Sequence, residues 1–189
     1  MEKIILIGFG GHAKSVADTI ERQNFYEIIG YTELSSVKSK YTYLGTDDVL
    51  VEYFNKGVKN VFICQGYLGK GILREKLYSM VKKIGFNLPV IIDPSSIIAK
   101  SCKIGEGTFV GKGVIINSEA IIDKMCIINT KAVIEHECIV REFSHIAVGA
   151  TLCGQVHIGK SVFVGANATI IQTRSVNDYT IVPAGSTVR

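Results

Sequence analysis

From Ile98 onward an aliphatic residue recurs at every sixth position: Ile104, Val110, Ile116, Ile122, Ile128, Ile134, Val140, Ile146, Leu152, Ile158, Val164, Ile170, Val176, Val182 and Val188. Sixteen such positions follow one another without a break. Helical solenoids need repeats of roughly 30 residues or more, so this period fits only a hexapeptide β-helix. Each hexad then supplies one short flat strand, its aliphatic turned inward, and one corner. Three hexads close a triangular coil, and residues one coil apart stack about 4.8 Å from each other, as paired strands do.

A second register runs beside the first. Four residues after each aliphatic stands a small side chain, from Cys102 and Thr108 through Ala132, Cys138 and Ser144 to Thr180 and Ser186, with Arg174 as the exception. The small residue reads as the one that lets the corner turn, so Arg174 within "IIQTRSV" predicts a bulge or loop at Gln172–Ser175. Cys102, Cys126 and Cys138 fall in this register and read as small buried hydrophobes. The chain has 5 cysteines, an odd number with no CxxC pairing. That suits reduced thiols in a cytoplasmic protein.

Residues 1–88 follow a different grammar and are expected to form a separate Rossmann-like α/β domain, with the β-helix at 89–189. "KIILIG", "EIIGYT" and "NVFICQG" read as strands. "HAKSVADTIERQ", "TDDVLVEYFN" with a cap at Thr46, and "LREKLYSMVKKIG" with a glycine stop at Gly85 read as helices. The alternation implies a small parallel sheet with helices packed on it. After the first strand, "GFGGHA" places Gly8, Gly10 and Ala13 in a GxGxxG/A pattern. Such a loop, here also containing Gly11, lets the backbone approach a phosphate at a helix N-terminus. Glu33, at the end of the second strand, stands where an acidic ribose contact would be. A domain this small holds one nucleotide better than two, which argues against a dinucleotide oxidoreductase. His12 and Lys14 are placed to reach phosphates, and "CQGYLGK" offers further backbone groups at Gln65 and Gly66.

The net charge of +4 is modest and its charges are scattered, which excludes a nucleic-acid-tracking surface and suits small anionic ligands. No apolar run approaches the ~20 residues of a membrane helix. "MEKIILIGFGG" reads as a strand and not as a signal peptide.

The chemistry concentrates in "TKAVIEHECIVREFSHIAVGATLCG". Stacking arithmetic puts Gly154 one coil above His136. A histidine base beside an approachable backbone N–H is what acyl transfer requires: one takes the proton of the nucleophile, the other holds the oxyanion. Glu137 is favoured as the acceptor for the far ring nitrogen, with Glu135 as the alternative. A corner bend is needed for either, because neighbours on a strand face opposite ways. His145 fits packing, substrate contact or catalysis, and His157 reads as a surface residue. A zinc hydratase on the same fold needs three converging histidines, two of them about five apart. The spacing of His136, His145 and His157 does not provide that, and no metal is expected.

The segment "NTKAVIEHECIVREFSHIAVGATLCGQVHIGKSVFVGANATI" resembles the core of the sialic acid O-acetyltransferase-like family of hexapeptide-repeat acyltransferases. That family includes the N-acetyltransferases of UDP-linked 4-amino-4,6-dideoxy sugars, and the likeness spans nearly the whole chain. The resemblance implies a left-handed β-helix, acetyl-CoA as donor, and a homotrimer with sites between adjacent subunits. It also implies His136 as general base, Glu137 as its partner, and the Gly154 N–H on the acetyl carbonyl. Asn129 and His145 would line the site, and the glycine loop would hold the nucleotide of the sugar. The implied activity is acetyl transfer to the amino group of a nucleotide-linked, UDP-type sugar, in glycan biosynthesis. O-acetylation of sialic acid or a related sugar is the alternative, and a catalytically silent scaffold a third. The chain stops at "PAGSTVR", whereas the family runs on to a tail that helps hold the adenine end of coenzyme A.

Overall fold

The computed structural model describes residues 1–66 and 72–189, which divide into two compact units. The first comprises Met1–Gly66 with Ile72–Pro89, the second Val90–Arg189. The Tyr67–Lys70 part of "CQGYLGK" lies outside the described residues.

In the first unit the elements run β1 (Glu2–Ile7), α1 (Gly11–Gln23), β2 (Tyr26–Thr32), β3 (Tyr43–Gly45), α2 (Leu50–Asn55), β4 (Asn60–Ile63) and α3 (Ile72–Ile84). The sheet has the order β3-β2-β1-β4 and is parallel throughout. Ile4, Ile5, Leu6 and Ile7 of β1 are all buried, the continuous apolar run expected of a strand covered on both faces. Helix α1 turns Ala13, Val16, Ala17 and Ile20 into this core. Gly85 ends α3 with φ 110° and donates its N–H to Val81 O. Thr46 does not cap as the sequence suggests. Its hydroxyl engages the Asp48 carboxylate, no side chain caps the backbone, and the segment opens as a 3-10 turn at Asp47–Val49 before α2 begins.

The second unit is a parallel β-solenoid. Its two-residue strands run from Ile91–Ile92 to Thr187–Val188 and stack into three sheets of 5, 6 and 6 strands. The first face carries Phe109–Val110, Ile127–Ile128, His145–Ile146 and Phe163–Val164 in one ladder. The second carries Ile115–Ile116, Val133–Ile134, Thr151–Leu152 and Thr169–Ile170. The third carries Ile121–Ile122, Ile139–Val140, His157–Ile158 and Ser175–Val176. Every pairing joins residues one coil apart, as the period requires. The second residue of each strand points inward, and from Val110 to Ile170 these side chains are at most 1% exposed. Each such burial contributes about 1.5–3 kcal/mol. The ladder begins one hexad earlier than the sequence count, since Ile92 packs on the same core.

The corners turn by another device than the small-residue register suggests. From Thr108 onward the residue just before each small one is left-handed: Glu119, Met125, Lys131, Glu137, Phe143, Gln155, Ser161, Asn167, Thr173 and Tyr179 all have φ between 51 and 64°. Gly107, Gly113, Gly149 and Gly185 hold the same place. A non-glycine residue is disfavoured there, but its N–H is pinned by the carbonyl of the coil below, as Glu137 N–H is by Ser118 O and Gln155 N–H by His136 O. The small residue instead fills the interior. Ala120, Cys126, Ala132 and Cys138 are fully buried, and Cys126 Sγ, Cys138 Sγ and Ser144 Oγ donate to the carbonyls of Arg141, Cys153 and Gly159.

This explains why no bulge forms at Gln172–Ser175. Thr173 keeps the left-handed corner (φ 63°), its N–H bonds Gly154 O at 3.0 Å, and Ser175–Val176 stays in register with His157–Ile158. Arg174 lets its side chain leave for solvent.

Gly105 is one of the places where neighbouring coils approach closely. An alanine Cβ there would lie 2.4 Å from Lys124 N and 2.7 Å from Asp123 C, both main chain. At Gly113 a Cβ meets only Lys131 Cγ at 3.6 Å, and the objection is the left-handed φ of 64°. Gly105→Ala should cost about 2 kcal/mol through overpacking and Gly113→Ala about 1 kcal/mol through backbone strain. Denaturant titration of the two variants ranks them; the reverse order would refute the close-approach account.

Candidate active site

His136 and Glu137 occupy the two turn positions of the corner between the second and third faces. The left-handed backbone at Glu137 (φ 60°) supplies the bend that adjacent strand residues lack. It brings Glu137 Oε2 to 2.9 Å from His136 Nδ1. An ionised carboxylate only accepts, so Nδ1 carries the proton and Nε2 keeps its lone pair. Glu137 is held below the usual carboxylate range, first by the His136 hydrogen bond and then by the Gln155 amide. Gln155 Nε2 donates to the same Oε2 at 3.2 Å. Sequence reasoning missed Gln155. The arithmetic that places Gly154 over His136 would have found it, because Gln155 stands one coil above Glu137.

Gly154 lies directly against the imidazole. A Cβ built on it would sit 2.6 Å from both Cε1 and Nε2 of His136. Among the described residues the Gly154 N–H has no acceptor, whereas its carbonyl takes the Thr173 N–H. The corner thus offers an accessible base, 56% exposed at its side chain, beside an open backbone donor. Glu135 is half-buried and is not the carboxylate bonded to His136.

Asn129 and His145 meet each other but belong elsewhere in the coil. Asn129 Nδ2 lies 3.3 Å from His145 Nε2, Asn129 Oδ1 accepts from Thr130 N–H, and the His145 ring packs edge-on to Phe163. Asn129 opens the corner between the first and second faces, and His145 lies on the first face. Within one chain this pair and the His136 corner are on different edges of the triangle. His157 is exposed. No group of three or more His, Cys, Asp or Glu is arranged to hold a metal among the described residues.

In the first unit the predicted nucleotide residues gather at the carboxyl ends of β1 and β4. This is where the sheet order reverses direction and where open α/β sheets bind ligands. Gly8 (φ 85°) closes β1 next to Gln65, and a Cβ built on Gly66 would lie 3.8 Å from His12 Cβ. A side chain at Gly10 or Gly11 would meet nothing within 4 Å, so the backbone before α1 is open to a ligand. A cavity of about 350 Å³ adjoins the loop, lined by Gly8, Thr32, Glu33, Asp47 and Gln65 together with Leu residues. Glu33 serves the loop itself: its carboxylate oxygens accept the N–H groups of Phe9 and Leu34, each at 3.0 Å. Thr32 Oγ1 donates to Asp47 Oδ1 at 2.6 Å. Burial first, and then the Arg74 guanidinium, push His12 down to about 4. At neutral pH it therefore offers a hydrogen bond and not a positive charge.

A parallel β-solenoid of left-handed β-helix type, carrying a histidine–glutamate pair at one corner and following a nucleotide-type α/β unit, defines a hexapeptide-repeat transferase. The PglD N-terminal domain model matches residues 3–81 and the GMPPB C-terminal domain model residues 86–188. The structure of PerB from Caulobacter crescentus, in complex with CoA and GDP-perosamine, is 30% identical, with a TM-score of 0.93 over 100% of this chain and 89% of that one. The acetyltransferase domain of PglB from Neisseria gonorrhoeae is 26% identical, with a TM-score of 0.93 over 100% and 92% of the two chains. WeeI from Acinetobacter baumannii, at 19% identity and a TM-score of 0.63, shares the fold. The chain belongs to the family of nucleotide-sugar acetyltransferases with a hexapeptide-repeat β-helix. No helix among the described residues is long and apolar enough to cross a membrane.

Proposed function

We propose that this protein transfers the acetyl group of acetyl-CoA to the amino group of a nucleotide-linked 4-amino-4,6-dideoxy sugar. The observation that carries this reading is the corner where His136 Nε2 and the unbonded Gly154 N–H stand together, with Nδ1 held by Glu137. The free amine attacks the thioester carbon directly while His136 Nε2 takes its proton. The carbonyl oxygen becomes an oxyanion and accepts from the Gly154 N–H. Collapse breaks the C–S bond, leaves an amide, and the departing thiolate takes the proton back from His136. Glu137 stabilises the imidazolium between the two transfers. The glycine loop and its cavity hold the nucleotide. A UDP sugar is the expected substrate, while the Caulobacter relative is bound to GDP-perosamine.

A homotrimer acting in the cytoplasm completes the reading. Asn129 and His145 lie on a different edge from His136, so they can line the same site only if a second protomer brings that edge alongside.

Thiol release from acetyl-CoA, followed with a panel of UDP- and GDP-linked 4-amino sugars, tests the proposal. His136→Asn should lower kcat by about 10²–10⁴, the usual worth of a positioned base. An undiminished His136→Asn rate would refute the mechanism. Turnover only of hydroxyl acceptors would establish O-acetylation, and no turnover with any sugar would leave a scaffold.

A further inference from the structure

Glu137 is held from the coil above it. Ser101, Glu119, Glu137, Gln155 and Thr173 form one corner column, each a coil apart. Glu137 and Gln155 share the left-handed backbone, with φ 60° and 59°. Two hydrogen bonds tie Gln155 to the histidine–glutamate pair. Its backbone N–H donates to His136 O at 2.9 Å, and its Nε2 donates to Glu137 Oε2 at 3.2 Å. That oxygen is the one that accepts the His136 Nδ1 proton, at 2.9 Å. A single residue thus holds the histidine by its main chain and the glutamate by its carboxylate.

The glutamate needs such a hold. The side chains of His136 and Glu137 are 56% and 47% exposed, and an ion pair so open to water is loosely held by itself. One coil below, the exposed Glu119 adds a like charge, and like charges on neighbouring strands repel. Repulsion from below and a donor above both turn the Glu137 carboxylate toward the coil of Gly154, against which the imidazole lies. The Gln155 amide also adds to the larger effect of His136 in keeping Glu137 ionised.

Resting on His136 as the base, we propose that Gln155 is a positioning residue for acetyl transfer: it fixes the Glu137 carboxylate so that His136 carries its proton on Nδ1 and its lone pair on Nε2. A free imidazole in water favours the opposite tautomer, which leaves no lone pair on Nε2 to receive the proton of an amine. Gln155 acts on the reaction only through Glu137. An amide suits the place because it donates without bringing a charge. A lysine there would pair with the carboxylate and compete for it with the imidazolium formed during transfer.

Two variants separate the donor from its shape. Gln155→Met keeps the length of the side chain and loses the donor; Gln155→Glu keeps the outline and can only accept. Each should lower kcat by about fivefold to twentyfold, the effect of a charged hydrogen bond discounted for exposure. The KM for acetyl-CoA should stay within about twofold of the parent. The melting temperature should hold, because Gln155 is exposed and its backbone tie to His136 remains. Nitrogen-15 resonances of the neutral His136 ring, recorded on the free protein, should show the Nδ1–H tautomer alone in the parent and a mixture in Gln155→Met. In a Glu137→Ala background, Gln155→Met should change kcat by less than about twofold, since the carboxylate it acts through is gone. Parental kcat in both variants, an unchanged tautomer, or a full loss that persists without Glu137 would overturn the role of Gln155. A His136→Asn variant as fast as the parent would instead remove the base, a separate failure, because the tautomer is read without turnover.

Discussion

Gly154→Ala is expected to abolish acetyl transfer while leaving the fold in place. The new methyl carbon would fall 2.6 Å from two atoms of the His136 ring, far inside contact distance. The backbone at 154 is not left-handed, so alanine adopts it without strain. The imidazole is exposed and can swing away. Relief therefore comes by evicting the base and not by moving the coil. Stability should change by less than about 1 kcal/mol, as for substitutions that touch only surface side chains. The rate should fall by about 10²–10⁴, as for loss of the base itself. A double variant, Gly154→Ala with His136→Asn, should be no slower than either single one, because both remove the same interaction. Retention of near-parental kcat by Gly154→Ala would mean that base and donor do not act at one point.

What the sequence discloses is what repeats. The inward aliphatics form one face of a two-residue strand, and that face is the core, so the period carries the architecture. The stacking arithmetic carries as far as Gly154 over His136. It stops where side-chain identity ceases to report conformation. Fourteen corner positions are left-handed, yet only four of them are glycine. The others include Glu137, Phe143 and Tyr179, which no turn preference would select. Hydrogen bonds from the coil below impose the turn, so the small-residue register is mistaken for its cause and Arg174 for a break in it. The three-residue strand Tyr43–Gly45 is too short to show a period. Glu33 is legible as an acid near the loop, but its commitment to the N–H groups of Phe9 and Leu34 depends on how β1 and β2 end side by side.

The burial of the His12 ring nitrogen, in the first turn of α1, is likewise not legible in the glycine-rich stretch around it, and it predicts an acid weakness in the first unit. Folding lowers this histidine from 6.5 to about 4, because the charged form is disfavoured first by burial and then by Arg74. Between those values the unfolded chain binds a proton that the folded chain refuses, so stability rises with pH there. It is fully present above about pH 6.5 and is lost as pH falls toward about 4, a total of about 3 kcal/mol. His12→Asn has no proton to refuse. Its melting temperature should decline less than that of the parent between pH 7 and pH 4.5, and the difference between the two curves isolates His12 from the carboxylates that also titrate. Parallel melting curves for parent and variant across that window would show that His12 folds as readily charged as neutral. The same protonation, forced next to the buried Arg74, should open the loop of Gly8 to Gly11 before the β-solenoid yields. Amide exchange at acid pH should therefore rise first in residues 8–20 and last in the ladder from Val110 to Ile170.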